Sequence, residues 1–403
     1  MIETKFKETE LGRIPEDWEV YALGELGEPR MCKRIMKYQT NDVHGIPFYK
    51  IGTFGKCADS YISPDLWRKL SNTYNYPRKG DVLISAAGTI GRAVVFDGTP
   101  SYFQDSNIVW IDNSEKQVSN RLLVFLISSI KWSTDTSTIS RLYNHNLKAA
   151  LVKAPDNPFE QTQIAEALSD VDALIAEMDV LIEKKRAIMT ATMQGLLTAR
   201  RRLPGFSEPW RTVQLKELAK MQSGGTPSTS ILSYYTGNIP FLGIGDMTVS
   251  KKYLHATQKH ITKEAVENSS ARIFPAGTFL MSMYASIGKC VISSIDVAIS
   301  QAILGFYSLS PEIDKDFLYY KLSLFSRDLA TSGQTGTQSN LNKQIVQNYT
   351  VSIPRCVEEQ QAIASILSDM DAEIVELEAK RDKYVAIRQG MMQQLLTGKI
   401  RLI

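Results

Sequence analysis

EQTQIAEALSDVDALIAEMDVLIEKKRAIMTATMQGLLT, residues Glu160–Thr198, returns 199 residues later as EQQAIASILSDMDAEIVELEAKRDKYVAIRQGMMQQLLT, residues Glu359–Thr397, with 19 of 39 positions identical. Chance does not produce such a match. In the first copy Ile164, Leu168, Val171, Ile175, Met178 and Ile182 step by four and three. In the second, Ile363, Leu367, Met370, Ile374 and Leu377 do the same, and this is the seam of a coiled coil. No proline or glycine interrupts Glu160–Gln194, Pro158 stands just before the start, and Gly398 is placed to close the second copy. The alternative is a surface helix packed on its own domain. A helix of this length is a rod of about 58 Å, longer than a small domain is wide.

The stretches that precede each helix also correspond. Gly80-Asp-Val-Leu-Ile-Ser85 with Ile90-Gly91 answers Gly277-Thr-Phe-Leu-Met-Ser282 with Ile287-Gly288, and Trp18 answers Trp210. Elsewhere the two halves differ. The chain therefore divides into a globular unit (1–159), a spacer helix (160–202), a second globular unit (203–358) and the spacer helix again (359–403). The runs Asp81–Ala86, Ala93–Phe96, Phe279–Met283 and Cys290–Ser293 predict strands, and Arg121–Ile130 and Asp316–Phe325 predict short amphipathic helices. The fold class is α+β: two mixed α/β domains separated by two long helices that pair as an antiparallel coiled coil. Such pairing returns the C-terminus to the first unit. There Arg401-Leu402 would continue into Leu11–Pro15 and Trp18, as Arg202-Leu203 continues into Trp210. The arrangement is circular, with a pseudo-twofold axis. On this reading the helices act as a ruler, and an insertion after Glu183 is matched at its repeat equivalent, Asp382.

Composition narrows the function. With 403 residues, 43% hydrophobic and 22% charged, the chain is a well-cored protein and not a disordered one. No apolar run approaches the roughly 18–20 residues of a membrane span, and residues 1–20 contain no apolar secretory core, so the expected location is the cytoplasm. Cys32, Cys57, Cys290 and Cys356 form no C-x-x-C pair, and the four histidines have no ligand spacing, so no metal site is expected.

No catalytic residues are expected either. The chain holds no G-x-x-x-x-G-K-[ST] loop and no G-x-G-x-x-G turn. Asp156-Asn157-Pro158-Phe159 superficially resembles the [Asp/Asn/Ser]-Pro-Pro-aromatic motif of amino-methyltransferases, but it lacks the first proline and reads as a loop entering a helix. The acidic pairs Asp170/Asp172 and Asp369/Asp371 lie between seam residues, where a polar face or a partner contact is expected. Binding is the better reading. The globular units carry net charges of +2 and +3, and each helical segment carries −1. Such a small excess does not by itself define a DNA binder.

The polar loops are more informative, because hydroxyl and amide groups can read base edges or hold phosphates. In the first unit the candidates are Lys33, Arg34, Tyr49, Lys50, Ser85, Thr89, Arg92, Gln104 and Asn107. In the second they are Thr226, Ser228, Ser282, Tyr284, Ser286, Lys289, Gln301, Gln338 and Asn340, with Gln301 answering Gln104. Each loop taken alone is equally readable as a turn. Two diverged units on one repeated spacer favour recognition.

Over essentially the whole chain the sequence resembles the specificity (S) subunit of type I restriction–modification enzymes. The residues that carry the resemblance are the duplicated Glu-Gln-x-x-Ile-Ala…Leu-Ser-Asp-x-Asp helix starts and the ending Leu395-Leu-Thr-Gly-Lys-Ile-Arg-Leu402. The entries Ile46-Pro47-Phe48 and Ile239-Pro240-Phe241 add to it. The second half has Ala285-Ser286-Ile287-Gly288 where the first has Gly88-Thr89-Ile90-Gly91. The resemblance implies that each globular unit is a target recognition domain reading one part of a split, asymmetric sequence in double-stranded DNA. It implies that the helices set the gap and dock two methyltransferase subunits, which methylate adenine with S-adenosylmethionine. Restriction subunits using ATP and Mg would join them, and this chain itself would hold no cofactor. A coiled-coil adaptor without a DNA role explains the rods but not the diverged units. A self-contained methyltransferase lacks its motifs.

Overall fold

The computed structural model describes residues 5–132, 141–284, 287–331 and 341–403. They form two compact units, Met1–Asp179 with Ala379–Ile403, and Val180–Glu378. The division falls inside both long helices, which run Pro158–Leu196 and Val357–Leu395. Both start two residues earlier than the repeat indicates. Pro158 is itself helical, where its missing N–H costs nothing, and the Asn157 side chain accepts the Phe159 N–H at 3.0 Å. The motif Asp156–Phe159 is thus a helix entry. Among the described residues no helix is long and apolar enough to cross a membrane, and no group of three metal-ligating side chains occurs.

In the first unit, Trp18–Ala22 pairs antiparallel with Leu151–Pro155 and closes the domain at its base. An antiparallel sheet comes next, in the order Pro29–Met31, Ile108–Ile111, Val82–Ser85, Ala93–Val95. A second sheet runs Tyr102–Phe103, Ile46–Tyr49, Tyr61–Ile62, Thr40–Asn41, and its first pair is parallel. The helix Asn120–Ser129, capped by Ser119, covers the first sheet.

The second unit repeats this plan. Arg211–Gln214 pairs with Thr350–Ile353. Ala219–Ser223, Ile303–Leu309, Phe279–Ser282, Cys290–Ser293 and Tyr253–Leu254 form one sheet, and Lys259–Ile261, Ile239–Leu242, Val297–Ile299 and Ile273–Phe274 the other. Its covering helix is Lys315–Thr331. The strands and helices expected from sequence are all present, within one residue at their ends except that the helix expected over Asp316–Phe325 continues six residues further, to Thr331.

The long helices pair antiparallel inside each unit. In the first, Arg388 holds Asp172 and Arg381 holds Asp179. In the second, Lys185 holds Glu373 and Arg186 holds Glu378. The expected seam is partly corrected. Val171, Ile175, Met370 and Leu377 are half-buried, and Met178, Ile182 and Ile374 are buried. Ile164 and Leu168, however, belong to the globular core of the first unit with Leu395 and Leu396. Ile363 and Leu367 belong to the core of the second with Met193 and Leu196. The apolar step therefore serves two purposes along one helix.

The repeated Glu-Gln at each helix start has a structural cause. Glu160 is fully buried, accepts from Trp18 Nε1 at 3.3 Å, and is gripped by Arg401 at 2.5 and 2.7 Å. Glu359 likewise accepts from Trp210 Nε1 at 3.3 Å and from Arg202 at 2.8 and 2.9 Å. Gln161 donates to the Pro155 and Gln117 carbonyls and accepts from Ser119, and Gln360 does the same with Pro354, Glu312 and Asp314. The end of the chain therefore does for the first unit what the interior linker does for the second, as the circular reading requires. Gly398, at φ +67, lies just past the helix and packs on Pro15.

The equivalence exposes one costly difference. Ser119 and Asp314 occupy matching places, so Lys321 stands where the first unit has the buried Leu126. The Lys321 ammonium donates to the Leu197 carbonyl and lies 5.5 Å from the Trp210 ring, and burial pushes its pKa down to about 8. Between about pH 8 and 10.5 the unfolded chain binds the proton that the folded unit has released, so stability rises with pH across that window. Lys321→Leu is expected to flatten this rise and to stabilise the second unit at pH 7 by on the order of 2 kcal/mol. Denaturant melts of both proteins at pH 7 and pH 10 check it; parallel pH profiles would refute it.

Candidate nucleic-acid interface

Each unit turns the Gly-x-x-Leu-x-Ser…Ile-Gly pattern into a tight hairpin. The Ser85 N–H donates to the Arg92 carbonyl and the Gly91 N–H to the Ser85 carbonyl, both at 2.9 Å. Ser282, Lys289 and Gly288 repeat this at 2.9 Å. Gly91 and Gly288 have φ of +78 and +76, a region that disfavours side chains, which is why the Ile-Gly recurs.

Two expected DNA contacts are thereby corrected. Ser85 and Ser282 are 1% and 0% exposed. The Ser85 hydroxyl donates to the Thr89 carbonyl and accepts the Arg92 N–H, so it shapes the turn and is not offered to a ligand. Arg92 is half-buried, and its Nη1 donates to the Phe54 carbonyl at 2.8 Å. Thr89 and Tyr284 are exposed near the hairpin tips, and Lys289 is half-buried. Ser286, Gln338 and Asn340 lie outside the described residues.

The first unit has an open cleft of about 490 Å³ that gathers Arg34, Lys50, Gln104 and Asn107 from the sequence candidates. Its walls add Lys37, Thr40, Asp42, Asp105 and Arg141, which sequence reasoning missed. Lys37 follows Lys33 and Arg34 with Ile35 and Met36 between, and Arg141 is a lone cation after a polar stretch. Arg141 reaches the cleft only because it bridges to Ala87 across the fold, so no local pattern marks it.

The turn Gln104–Asn107 is fastened from three sides. Gln104 Oε1 accepts the Ile51 N–H at 3.0 Å, Arg34 Nε donates to Asp105 at 2.9 Å, and Arg141 Nη2 donates to the Ser106 carbonyl at 2.9 Å. Ser106 itself sits at φ +53, an uncommon conformation for serine that these contacts hold. Lys50 pairs with Asp59 at 2.9 Å. Lys33 and Tyr49 are outside the cleft. The Lys33 ammonium lies 5.1 Å from the Tyr74 ring, and Tyr49 stacks on Phe103, with burial pushing its hydroxyl pKa upward. The cleft offers guanidinium, ammonium, amide and hydroxyl groups on a rigid frame, which suits a phosphate-backed base edge.

The second unit builds a different surface at the same place. Thr226 donates to Gln301, Ser228 and Ser230 share a hydrogen bond of 2.7 Å, and the Tyr235 hydroxyl donates to the Pro227 carbonyl at 2.7 Å. A Cβ on Gly224 would come within 1.8 Å of the Ile299 carbonyl oxygen, and one on Gly225 within 2.2 Å of the Ser270 hydroxyl, so the loop Ser223–Ser230 lies flat on the sheet only with glycines. Strand register corrects one pairing. Gln104 N–H donates to the Tyr49 carbonyl and Ser300 N–H to the Leu242 carbonyl, within parallel pairs that match residue for residue. Ser300, not Gln301, is the counterpart of Gln104, because the turn of the second unit is one residue shorter.

A family model described as type I restriction modification DNA specificity domain matches twice, over residues 15–184 and 207–385. A putative type I restriction enzyme specificity subunit of Haemophilus influenzae, S.HindORF215P, is 52% identical over 162 residues, a stretch that spans 40% of this chain and 42% of that relative. The putative MjaX specificity subunit of Methanocaldococcus jannaschii is 25% identical over 99% of this chain and 97% of its own. Among solved structures, the S subunit of the type I restriction–modification system from M. genitalium matches with a TM-score of 0.64 at 14% identity, covering 97% of this chain and 98% of its own, a likeness of fold. With the family model matching both halves, the chain belongs to the family of type I restriction–modification DNA specificity subunits.

Proposed function

We propose that each unit reads one block of a bipartite, asymmetric double-stranded DNA target, and that the chain carries no catalysis of its own. The observation that carries this reading is the contrast between the two polar surfaces. One scaffold, with the same hairpin and the same parallel strand pair, presents a basic cleft around Arg34 and Arg141 in the first unit. In the second it presents an uncharged hydroxyl and amide loop around Thr226 and Gln301. A structural adaptor has no use for two different polar surfaces on one frame. The long helices set the distance between the blocks and dock two methyltransferase subunits. S-adenosylmethionine enters with those subunits, and ATP and Mg with restriction subunits.

The test is an exchange. Residues 1–157 are replaced by the corresponding unit of another family member, so that the junction falls before Pro158 and the helix is untouched. The hybrid is co-expressed with the cognate methyltransferase and methylated adenines are mapped across a genome. One block of the target is expected to change and the other to stay. If both change, or neither does, the two units do not read separately.

A further inference from the structure

Within the first unit's cleft, Arg34 is the cation whose position is fixed while its recognition edge stays open. Its Nε donates to Asp105 at 2.9 Å; the Arg34 side chain is 65% exposed and that of Asp105 17%. Asp105 is itself held in the turn Gln104–Asn107, between the Gln104 bond to Ile51 and the Arg141 bond to the Ser106 carbonyl. A guanidinium anchored through Nε keeps both terminal nitrogens, the fork that matches O6 and N7 of guanine. Fixing the long side chain beforehand also lowers the ordering cost of binding. The other cations fit this role less well. Lys37 and Lys50 are point charges without a fork, and Lys50 is paired with Asp59. Arg141 is half-buried and spends Nη2 on the turn.

We propose that Arg34 reads a guanine in the block of DNA served by the first unit, with Asp105 as its positioning residue. This rests on the DNA-reading function above and assigns one base of the target to one side chain.

The experiment uses the complex with the cognate methyltransferase and a duplex carrying its mapped target. Each guanine of the first unit's block is replaced in turn by 7-deazaguanine, which lacks only the N7 acceptor. At one position wild-type binding is expected to fall about fivefold or more. Arg34→Ala loses binding to the normal duplex and shows no further loss at that position. Arg34→Lys keeps the charge but not the fork, and genome-wide mapping should show that one position relaxed and the other block unchanged. Asp105→Ala should relax the same position, and Asp105→Asn, which keeps an acceptor oxygen, should restore part of it. Specificity at a single base pair is a readout that a general weakening of the fold does not move. If wild type gives a two-block target yet Arg34→Lys leaves every position as sharply specified, the assignment to Arg34 is wrong while the DNA-reading function stands. If wild type gives no two-block target, both fall.

Discussion

Arg401→Met is expected to destabilise the first unit by about 3–5 kcal/mol, although the residue stands third from the end of the chain. Its side chain is 10% exposed, and it binds Glu160, which is 0% exposed, through two charge-assisted hydrogen bonds, and Asp17 through two more at 2.9 and 2.6 Å. Removing the guanidinium leaves the Glu160 carboxylate buried with, among the described residues, the Trp18 indole N–H as its one remaining side-chain donor. That uncompensated charge is the large cost; an exposed pair would be worth about 1 kcal/mol or less. Glu160→Gln in the Arg401→Met background should recover much of the loss, because a neutral amide no longer needs a cation and can still accept from Trp18. Hydrogen exchange resolves the effect by unit. Protection should fall along Trp18–Ala22 and Leu151–Pro155, which close the first unit beside the clasp, and should hold along Arg211–Gln214 and Thr350–Ile353, which depend on Arg202 and Glu359. A loss under 1 kcal/mol for Arg401→Met would mean that the clasp is ornamental and that the chain end is not part of the fold.

The same clasp shows where sequence reasoning reaches and where it stops. The duplication was legible because 19 identities at one offset are a one-dimensional signal, and the long helices were legible because apolar spacing fixes which side of a helix is buried. Arg401, near the chain end, and Arg202, in the interior linker, could be matched from sequence by the way each leads into a globular unit. What they grip could not, because Glu160 and Glu359 look like ordinary polar residues of a helix start until tryptophan and arginine close over them.

The candidate site was less legible for a related reason. Ser85 and Ser282 read as DNA contacts because hydroxyls suit DNA, but a hydroxyl also suits the inside of a turn, and only the fold decides which side of the hairpin faces inward. Identity pairs Gln301 with Gln104, but one turn residue fewer in the second unit makes Ser300 the true counterpart. In the sequence Arg34 and Gln104 are separate loop residues, 70 positions apart. The cleft that unites them depends on a parallel strand pair and on Arg141, neither of which leaves a local trace.

If the helices are a ruler, lengthening them must respect the pairing between them, and the structure changes where the insertions belong. Asp172 faces Arg388 and Asp179 faces Arg381, so each step forward along the first helix is a step back along the second. By the same count Glu183 lies opposite Leu377, Lys185–Glu373 lies just beyond that level, and the slanted pair Arg186–Glu378 crosses it. The repeat equivalent of Glu183, Asp382, faces a point more than a turn away. Four residues inserted after Glu183 lengthen that helix by about 6 Å and rotate its downstream part by about 40°. A second insertion of four residues beside Leu377 keeps Asp172–Arg388, Asp179–Arg381 and Lys185–Glu373 opposite one another and parts Arg186–Glu378, which straddles the insertion point. Placed after Asp382, it would leave the intervening turn paired with the wrong residues. Duplex DNA rises about 3.4 Å per base pair, so the facing pair of insertions is expected to widen the unspecified gap by one or two base pairs, with both specified blocks intact. Methylation at the original sites should then be lost and reappear at the widened ones, while the single insertion and the Asp382 version should assemble poorly and methylate neither. Mapping methylated adenines for the three variants decides it: an active enzyme that keeps the original gap after facing insertions would show that the spacing of the blocks is set elsewhere than in these helices.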